Sequence, residues 1–278
     1  FYRWIRMPVV SYAIPALVAI GQARQHHQPP RFPVTRMVRS LAIQPSLRVL
    51  SRMQPSSGGY LEAVPLTSFV AMSLASTGRI EPPVTQRGLE FLRQSVRPDG
   101  SWPIDTNLAT WNTSLAVRAL GYGEQDLDSI ANLDWLLSCQ TVTRHAFTGA
   151  APGGWGWTDL SGSVPDADDT SSALLALRLW HQAPACTASN RSRIETSVEN
   201  GVRWLLDLQN SDGGWPTFCR GWGKLPFDRS GADLTAHAIR ALEAWRPVAS
   251  RAISRAIERG WSFLQKSQRD DGSWVPLW

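Results

Sequence analysis

The chain has 278 residues and 43% apolar content, enough for one large or two small globular domains with a real core. Its 28 Lys+Arg against 23 Asp+Glu leave a net charge of only +5, with the basic residues scattered, which argues against a nucleic-acid footprint. Cys139, Cys186 and Cys219 lie far apart with no Cys-x-x-Cys or Cys/His spacing, which argues against a disulfide framework and a structural zinc site.

Taken in order, the chain opens with a predicted helix from about Val9 to Gln22; the apolar stretch around it, Met7 to Ile20, contains Pro8 and Pro15 and is too short to span a bilayer. A linker follows at Gln28-Pro29-Pro30 and Arg31-Phe32-Pro33. Beyond it the tryptophans expose an internal repeat. Gly201-Val202-Arg203-Trp204-Leu205 followed by Gln209 and Asp212-Gly213-Gly214-Trp215 has the same spacing as Gly260-Trp261-Ser262-Phe263-Leu264 followed by Gln268 and Asp271-Gly272-Ser273-Trp274. Gly88, Phe91-Leu92 and Asp99-Gly100-Ser101-Trp102 repeat it with Val96 in place of Gln. Trp135-Leu136, Gln140 and Gly153-Gly154-Trp155 repeat it with an insertion, and Val49-Leu50, Gln54, Gly58-Gly59-Tyr60 is a worn copy.

Each copy reads as the end of an amphipathic helix with a glycine stop, which suits a left-handed backbone. A second helix follows each stop, aligned on Thr67, Thr113, Thr170 and Thr235, with an apolar residue seven positions later. This second set is richer in Ala and Leu and is placed inside, the Gln/Trp set outside. The fold class is therefore all-α: an α/α barrel, or toroid, of helical hairpin repeats. The turns are expected to tie hairpins together, with glutamine amides closing helix ends and indoles covering them. Both chain ends read as truncated, because the hairpins are too few for a closed ring.

The third unit departs from the others. Asp166, Asp168 and Asp169 crowd ahead of the run Ala173-Leu174-Leu175-Ala176-Leu177, whereas the matching positions before the other threonines are Pro65-Leu66, Trp111-Asn112 and Asp233-Leu234. One carboxylate would suffice as a cap; three like charges so close repel, so at least one should hold its proton unusually well. An over-capped, solvated helix end is the plain alternative, since acidic first turns suit the helix dipole. In the fourth unit Asp233 and His237 share a helix face by their spacing of four, and adjacent hairpins would bring that face beside Asp168. Taken alone, His237 is more often a packing histidine; paired with the carboxylate cluster at the matched repeat position, it reads as the partner of the acid. Aromatic residues gather near these turns: Trp111, Trp155, Trp157, Trp215, Phe218, Trp222 and Phe227. Their π faces can stabilise a cation without supplying a base. An acid beside an aromatic-lined apolar cavity points to protonation of an alkene or epoxide and carbocation chemistry, with neither metal nor cofactor.

Pro165-Asp166-Ala167-Asp168-Asp169-Thr170 resembles the Asp-x-Asp-Asp-Thr acid motif of class II terpene cyclases. The Gln…Gly-x-Trp units resemble the QW repeats of squalene–hopene and oxidosqualene cyclases, and Asp233-Leu234-Thr235-Ala236-His237 resembles a segment whose histidine supports the acid in squalene–hopene cyclases. Carried over, the resemblance makes Asp168 the protonating acid, Asp166 and Asp169 its flanking carboxylates, and His237 with Asp233 the supporting dyad. Trp157, Trp111 and Trp155 become cavity aromatics, although Asn112 stands where the family has Asp. It further implies that residues 1–105 end a first α/α barrel and 106–278 begin the catalytic one. Squalene becomes the substrate, and the expected association is monotopic, on the cytoplasmic side of a membrane, with a homodimer. On this reading the chain is a piece of a larger enzyme and would not turn over alone. Three alternatives are a diterpene cyclase acting on a prenyl diphosphate, a non-catalytic lipid-binding relative, and a zinc-using prenyltransferase subunit.

Overall fold

The computed structural model describes residues 13–122, 132–145, 150–217, 228–246 and 251–276. The first four residues of the expected opening helix, and the aromatics Phe218, Trp222 and Phe227, lie outside them. Over the described residues the chain is helical, with two isolated β-bridges, Ala63 to Asp105 and Trp215 to Gly231, and no strand. The helices are α1 (Ile14–His27), α2 (Pro33–Met53), α3 (Val64–Ala75), α4 (Pro83–Gln94), α5 (Ala109–Tyr122), α6 (Leu133–Ser138), α7 (Ala167–Gln182), α8 (Ala188–Leu208), α9 (Ala232–Ala244) and α10 (Arg251–Ser267).

The chain divides into two compact units. One holds Val9–Asn107 and, out of order, Leu160–Ser163; the other holds Leu108–Asp159 and Val164–Trp278. In the first unit α1 packs beside α3, with α2 against α1 and α4 against α3. In the second, α5, α7 and α9 lie side by side, while α6, α8 and α10 back them. Each unit is thus an arc of α/α barrel, an inner layer lined by an outer one, as the repeat predicts.

The turns show why this sequence makes hairpins. At every stop a glycine sits in the left-handed region, with φ of +87° at Gly58, +81° at Gly100, +116° at Gly153, +97° at Gly213 and +83° at Gly272. At Gly213 a Cβ would also lie 2.4 Å from the Arg259 carbonyl oxygen. The aromatic two residues on turns back to the outer helix it follows. The indoles of Trp102, Trp155, Trp215 and Trp274 donate to the carbonyls of Leu92, Leu136, Leu205 and Leu264, and the Tyr60 hydroxyl donates to Leu50. These carbonyls lie in the last turn of each outer helix and also accept a backbone N–H, from Gln54, Ser95, Cys139, Gln209 and Gln268, so the aromatic donor takes a second lone pair. The glutamines reach further. Gln54, Gln140 and Gln209 each donate to the glycine carbonyl of their own turn and to a carbonyl of the next outer helix, Val84, Ser197 and Ala256 respectively. One amide therefore spans two neighbouring hairpins.

The aligned threonines fasten the inner layer to the turns. The backbone N–H groups of Tyr60, Trp155 and Trp215 donate to the hydroxyls of Thr67, Thr170 and Thr235, each at 3.0 Å. In α5 the register differs from the sequence alignment by one turn: Thr110, Ser114 and Val117 are buried, whereas Thr113 is half-buried and Leu120 exposed.

The out-of-order segment has a specific anchor. Glu62 is fully buried, and its Oε1 accepts from the Ser57 hydroxyl at 2.9 Å and the Gly162 N–H at 3.0 Å. Leu61 and Glu62 hold positive φ values, 57° and 55°, a strained pair for non-glycine residues. Burial raises the Glu62 pKa despite those two donors.

Candidate active site

The acidic run forms the first turn of α7, and α7 is the most enclosed helix of its unit, buried from Asp169 through Leu177. Its start is pinned by backbone. The Asp166 N–H and the Thr170 hydroxyl both donate to the Trp155 carbonyl, and the Ala167 N–H donates to the Thr217 carbonyl. Asp166 is the N-cap: its Oδ1 accepts from the Asp169 N–H at 2.8 Å.

The three carboxyls then part company. Asp166 and Asp169 are buried, 3% and 5% exposed, whereas the Asp168 side chain is 41% exposed. Burial, reinforced by the charge of Asp169, raises Asp166 well above the usual carboxylate range. Asp169 is pushed up to about 7, first by burial; its bond with Asp166 lowers it and the charge of Asp168 raises it. The crowd therefore retains protons in its buried pair, while its open carboxyl belongs to Asp168.

His237, from the second turn of α9, meets Asp168: Nδ1 lies 2.5 Å from Asp168 Oδ1. Its side chain is 15% exposed against 41% for Asp168, so the imidazole is enclosed while the carboxyl it meets stays open. The other ring nitrogen, Nε2, lies 3.1 Å from an Arg118 guanidinium nitrogen, and the same nitrogen donates to the Ser172 hydroxyl at 3.3 Å. Asp168, His237 and Arg118 thus form a line across α7, α9 and α5.

Two expectations need correction. Asp233 lies one turn before His237 as its spacing predicts, but it is exposed, and the two imidazole nitrogens are taken by Asp168 and Arg118. The expected Asp233–His237 contact does not form. Trp155 is fully buried, with its indole bonded to Leu136 and its ring in the hydrophobic core, so it holds the turn instead of facing a cavity. Trp157, two residues on, is half-buried, and its carbonyl accepts from the N–H groups of Thr110 and Trp111. Trp111, 37% exposed, stands in the first turn of α5 beside it. Arg118 is the site residue that sequence reasoning missed. Among the described residues no group of three or more His, Cys, Asp or Glu is placed to hold a metal ion.

An inner helix that opens with a crowded acid run, with one carboxyl open and bonded to a histidine of the next inner helix, agrees with a class II terpene cyclase, the class to which the comparisons assign the chain. The chain matches the family model of the squalene-hopene cyclase C-terminal domain over residues 108–278, more than half its length, and belongs to that family. Among curated relatives it is 28% identical to the terpene cyclase-glycosyl transferase fusion protein fsoA of Humicola fuscoatra, over 86% of this chain and 20% of that protein. It is 25% identical to the sporulenol synthase of Bacillus subtilis, over 100% and 44%, and 24% identical to the squalene–hopene cyclase of Bradyrhizobium diazoefficiens, over 90% and 40%. The chain spans less than half the length of these relatives. Among solved structures, the type II terpene cyclase MstE from Scytonema aligns over 95% of this chain and 70% of its own, at 17% identity and a TM-score of 0.40.

Proposed function

We propose that the chain carries the initiating acid of a squalene-hopene-type cyclase, and that Asp168 is that acid. The observation that supports this most is the contrast within the run: Asp166 and Asp169 are buried, while Asp168 alone combines an open carboxyl with a bond to His237. In its carboxylic form Asp168 transfers a proton to the terminal alkene of a folded polyprene, squalene. The π pair of that alkene forms the new C–H bond and leaves a tertiary cation, and Asp168 is left as a carboxylate facing the His237 ring. Successive alkenes then attack successive cations, closing rings to a polycyclic triterpene of the hopanoid kind, until a proton is lost. Trp111 and Trp157 present aromatic faces that stabilise cations electrostatically without adding to them. Asp166 and Asp169 hold the first turn of α7 and keep a proton within it.

In this reading residues 1–105 complete a first α/α barrel, 106–278 begin the catalytic one, and the chain alone does not turn over. Exposed apolar side chains on inner helices, Phe69 and Met72 in α3 and Leu115 and Leu120 in α5, support the need for further lining. The reading also includes a monotopic association with the cytoplasmic face of a membrane, and a homodimer. No helix among the described residues is long and apolar enough to cross a membrane. Support for docking comes from α2. Phe32 just before it, with Val34, Met37, Val38 and Leu41, is exposed, by 64%, 55%, 56%, 56% and 70%. Arg31, Arg36, Arg39, Arg48 and Arg52 flank them, and no carboxylate side chain precedes Glu62 in the sequence. An apolar face rimmed by arginines suits an anionic lipid surface.

The test is product analysis of the protein expressed from the longest reading frame that encodes this chain, offered squalene, oxidosqualene and geranylgeranyl diphosphate side by side. Cyclised squalene that disappears in Asp168→Asn is the expected result. Turnover of the diphosphate alone reassigns the substrate, and an Asp168→Asn variant with undiminished cyclisation refutes the acid.

A further inference from the structure

We propose that Arg118 is a positioning residue that fixes the tautomer of His237, and so decides which oxygen of Asp168 carries the transferable proton. The inference rests on the reading of Asp168 as the acid for its catalytic consequence, although its structural half stands without it.

The argument starts from donors and acceptors. A guanidinium offers only N–H donors, so at 3.1 Å from Arg118 the Nε2 of His237 has to be the lone-pair nitrogen. The ring proton is then on Nδ1, where it points at Asp168 Oδ1, 2.5 Å away. Oδ1 is therefore an acceptor, and the carboxylic proton of Asp168 resides on Oδ2. With the opposite tautomer, the lone pair of Nδ1 would face Asp168. A neutral imidazole is a better base than an alkene, so the acid's proton would be spent on the histidine. With Nδ1–H in place the histidine cannot accept that proton. It instead steadies the carboxylate left after transfer, through a bond already made.

The arginine is itself held in place. Its NH1 donates to the Ser172 hydroxyl, and Ser172 lies four residues after Asp168 on α7. One guanidinium nitrogen therefore joins the helix of the acid to the helix of the histidine, from a third inner helix. A mid-helix arginine turned to the inner layer has a cost unless its charge is used, and this one is used at both bonds.

Long-range proton–nitrogen NMR of this chain with nitrogen-15 histidine reads the tautomer directly. The chain has five histidines, and His237→Gln identifies the signal that belongs to position 237. The expected spectrum shows a protonated Nδ1 and an unprotonated Nε2 at His237. Arg118→Leu is expected to lose that pattern, while Arg118→Gln, a neutral donor, restores it. A wild-type ring protonated at Nε2, or at both nitrogens, overturns the proposal whether or not the leucine variant folds. So does an Arg118→Leu variant that folds and keeps the Nδ1–H pattern. In the longer protein, Arg118→Leu is expected to lower kcat about a hundredfold, the low end of what a positioned proton donor contributes, with KM for the polyprene unchanged and activity regained in Arg118→Gln. A raised KM with constant kcat overturns the catalytic half. Failure of the acid reading is recognised separately, by activity in Asp168→Asn alongside an intact Nδ1–H signal.

Discussion

Replacing Asp169 by Asn should stabilise the folded chain at alkaline pH and do nothing at acid pH. The carboxyl is 5% exposed and is pushed from 3.8 to about 7, chiefly by burial, so the folded state holds a proton that the unfolded chain releases near pH 4. The sign follows from linkage: a carboxyl raised on folding contributes stability below its unfolded pKa, and that contribution is lost as pH climbs through the folded value. The window is about pH 4 to 7, and a displacement of this size is worth at most about 4 kcal/mol. Asparagine keeps the shape and the backbone N–H that bonds Asp166 Oδ1 but carries no charge to desolvate. Urea unfolding of both proteins at roughly pH 4.5, 6 and 8, through and just past that window, gives the difference in stability at each pH. Groups remote from Asp169 cancel in that difference, including His145, which burial lowers to about 4; Asp166 does not, but losing the Asp169 charge that raises it favours the variant in the same direction. The variant should gain steadily on the parent as pH rises. A difference that is flat with pH, or a variant less stable at the highest pH, refutes the assignment of Asp169 as a buried proton holder.

Three further outcomes follow from the geometry. Gln209→Ala removes two buried 2.8 Å bonds that join two hairpins, so thermal or urea unfolding should show a loss of about 2–3 kcal/mol, whereas Gln268→Ala, whose exposed amide bonds Gly272 of its own turn, should lose under about 1. Trp155→Phe forfeits the bond to Leu136 and should cost about 1–2 kcal/mol while leaving the product pattern unchanged; Trp157→Phe should do the reverse, as read by unfolding and by product chromatography. On α2, Leu41→Glu should weaken sedimentation with anionic vesicles about tenfold, since it places a charge on a 70% exposed apolar position, while Thr35→Glu on the same helix should weaken it less.

The hairpins were legible because their punctuation is chemical. A glycine at positive φ, a glutamine that must reach two carbonyls and an aromatic that must cover a helix end leave few substitutes, so the spacing survives in the sequence. Asp166, Asp168 and His237 were legible for a related reason: no hairpin needs three carboxylates at one cap. The rest depended on which way a side chain faces. Trp155 and Trp157 differ by one glycine in the chain, and only the fold shows that the first is in the core and the second is not. In α5 threonines stand at 110 and 113, either able to match the repeat, and burial selects the first. Asp233 matched a helical spacing, but shared face is not contact. Arg118 sits in a run with ordinary helical composition, where a lone arginine reads as solvated surface, and nothing local says that two other helices will bring a serine and an imidazole to it.

The repeat also explains how such a charged turn can exist at the centre of an apolar unit. The inner helices α3, α5, α7 and α9 each begin where a neighbouring turn supplies backbone partners: the carbonyl of Trp155 takes two donors from the start of α7, and that of Thr217 takes a third. Those bonds and the Asp166 cap secure the helix start without calling on the Asp168 side chain, so two of the three carboxyls can be buried as proton holders and the third can be left open. Had the cap depended on all three, opening one would loosen the helix. Because α5, α7 and α9 lie side by side, the open carboxyl meets a residue from one neighbour directly and a residue from the other through it. An α/α ring thereby places three residues that are distant in sequence, Arg118, Asp168 and His237, within one hydrogen-bonded line, with the rigidity of packed helices behind each.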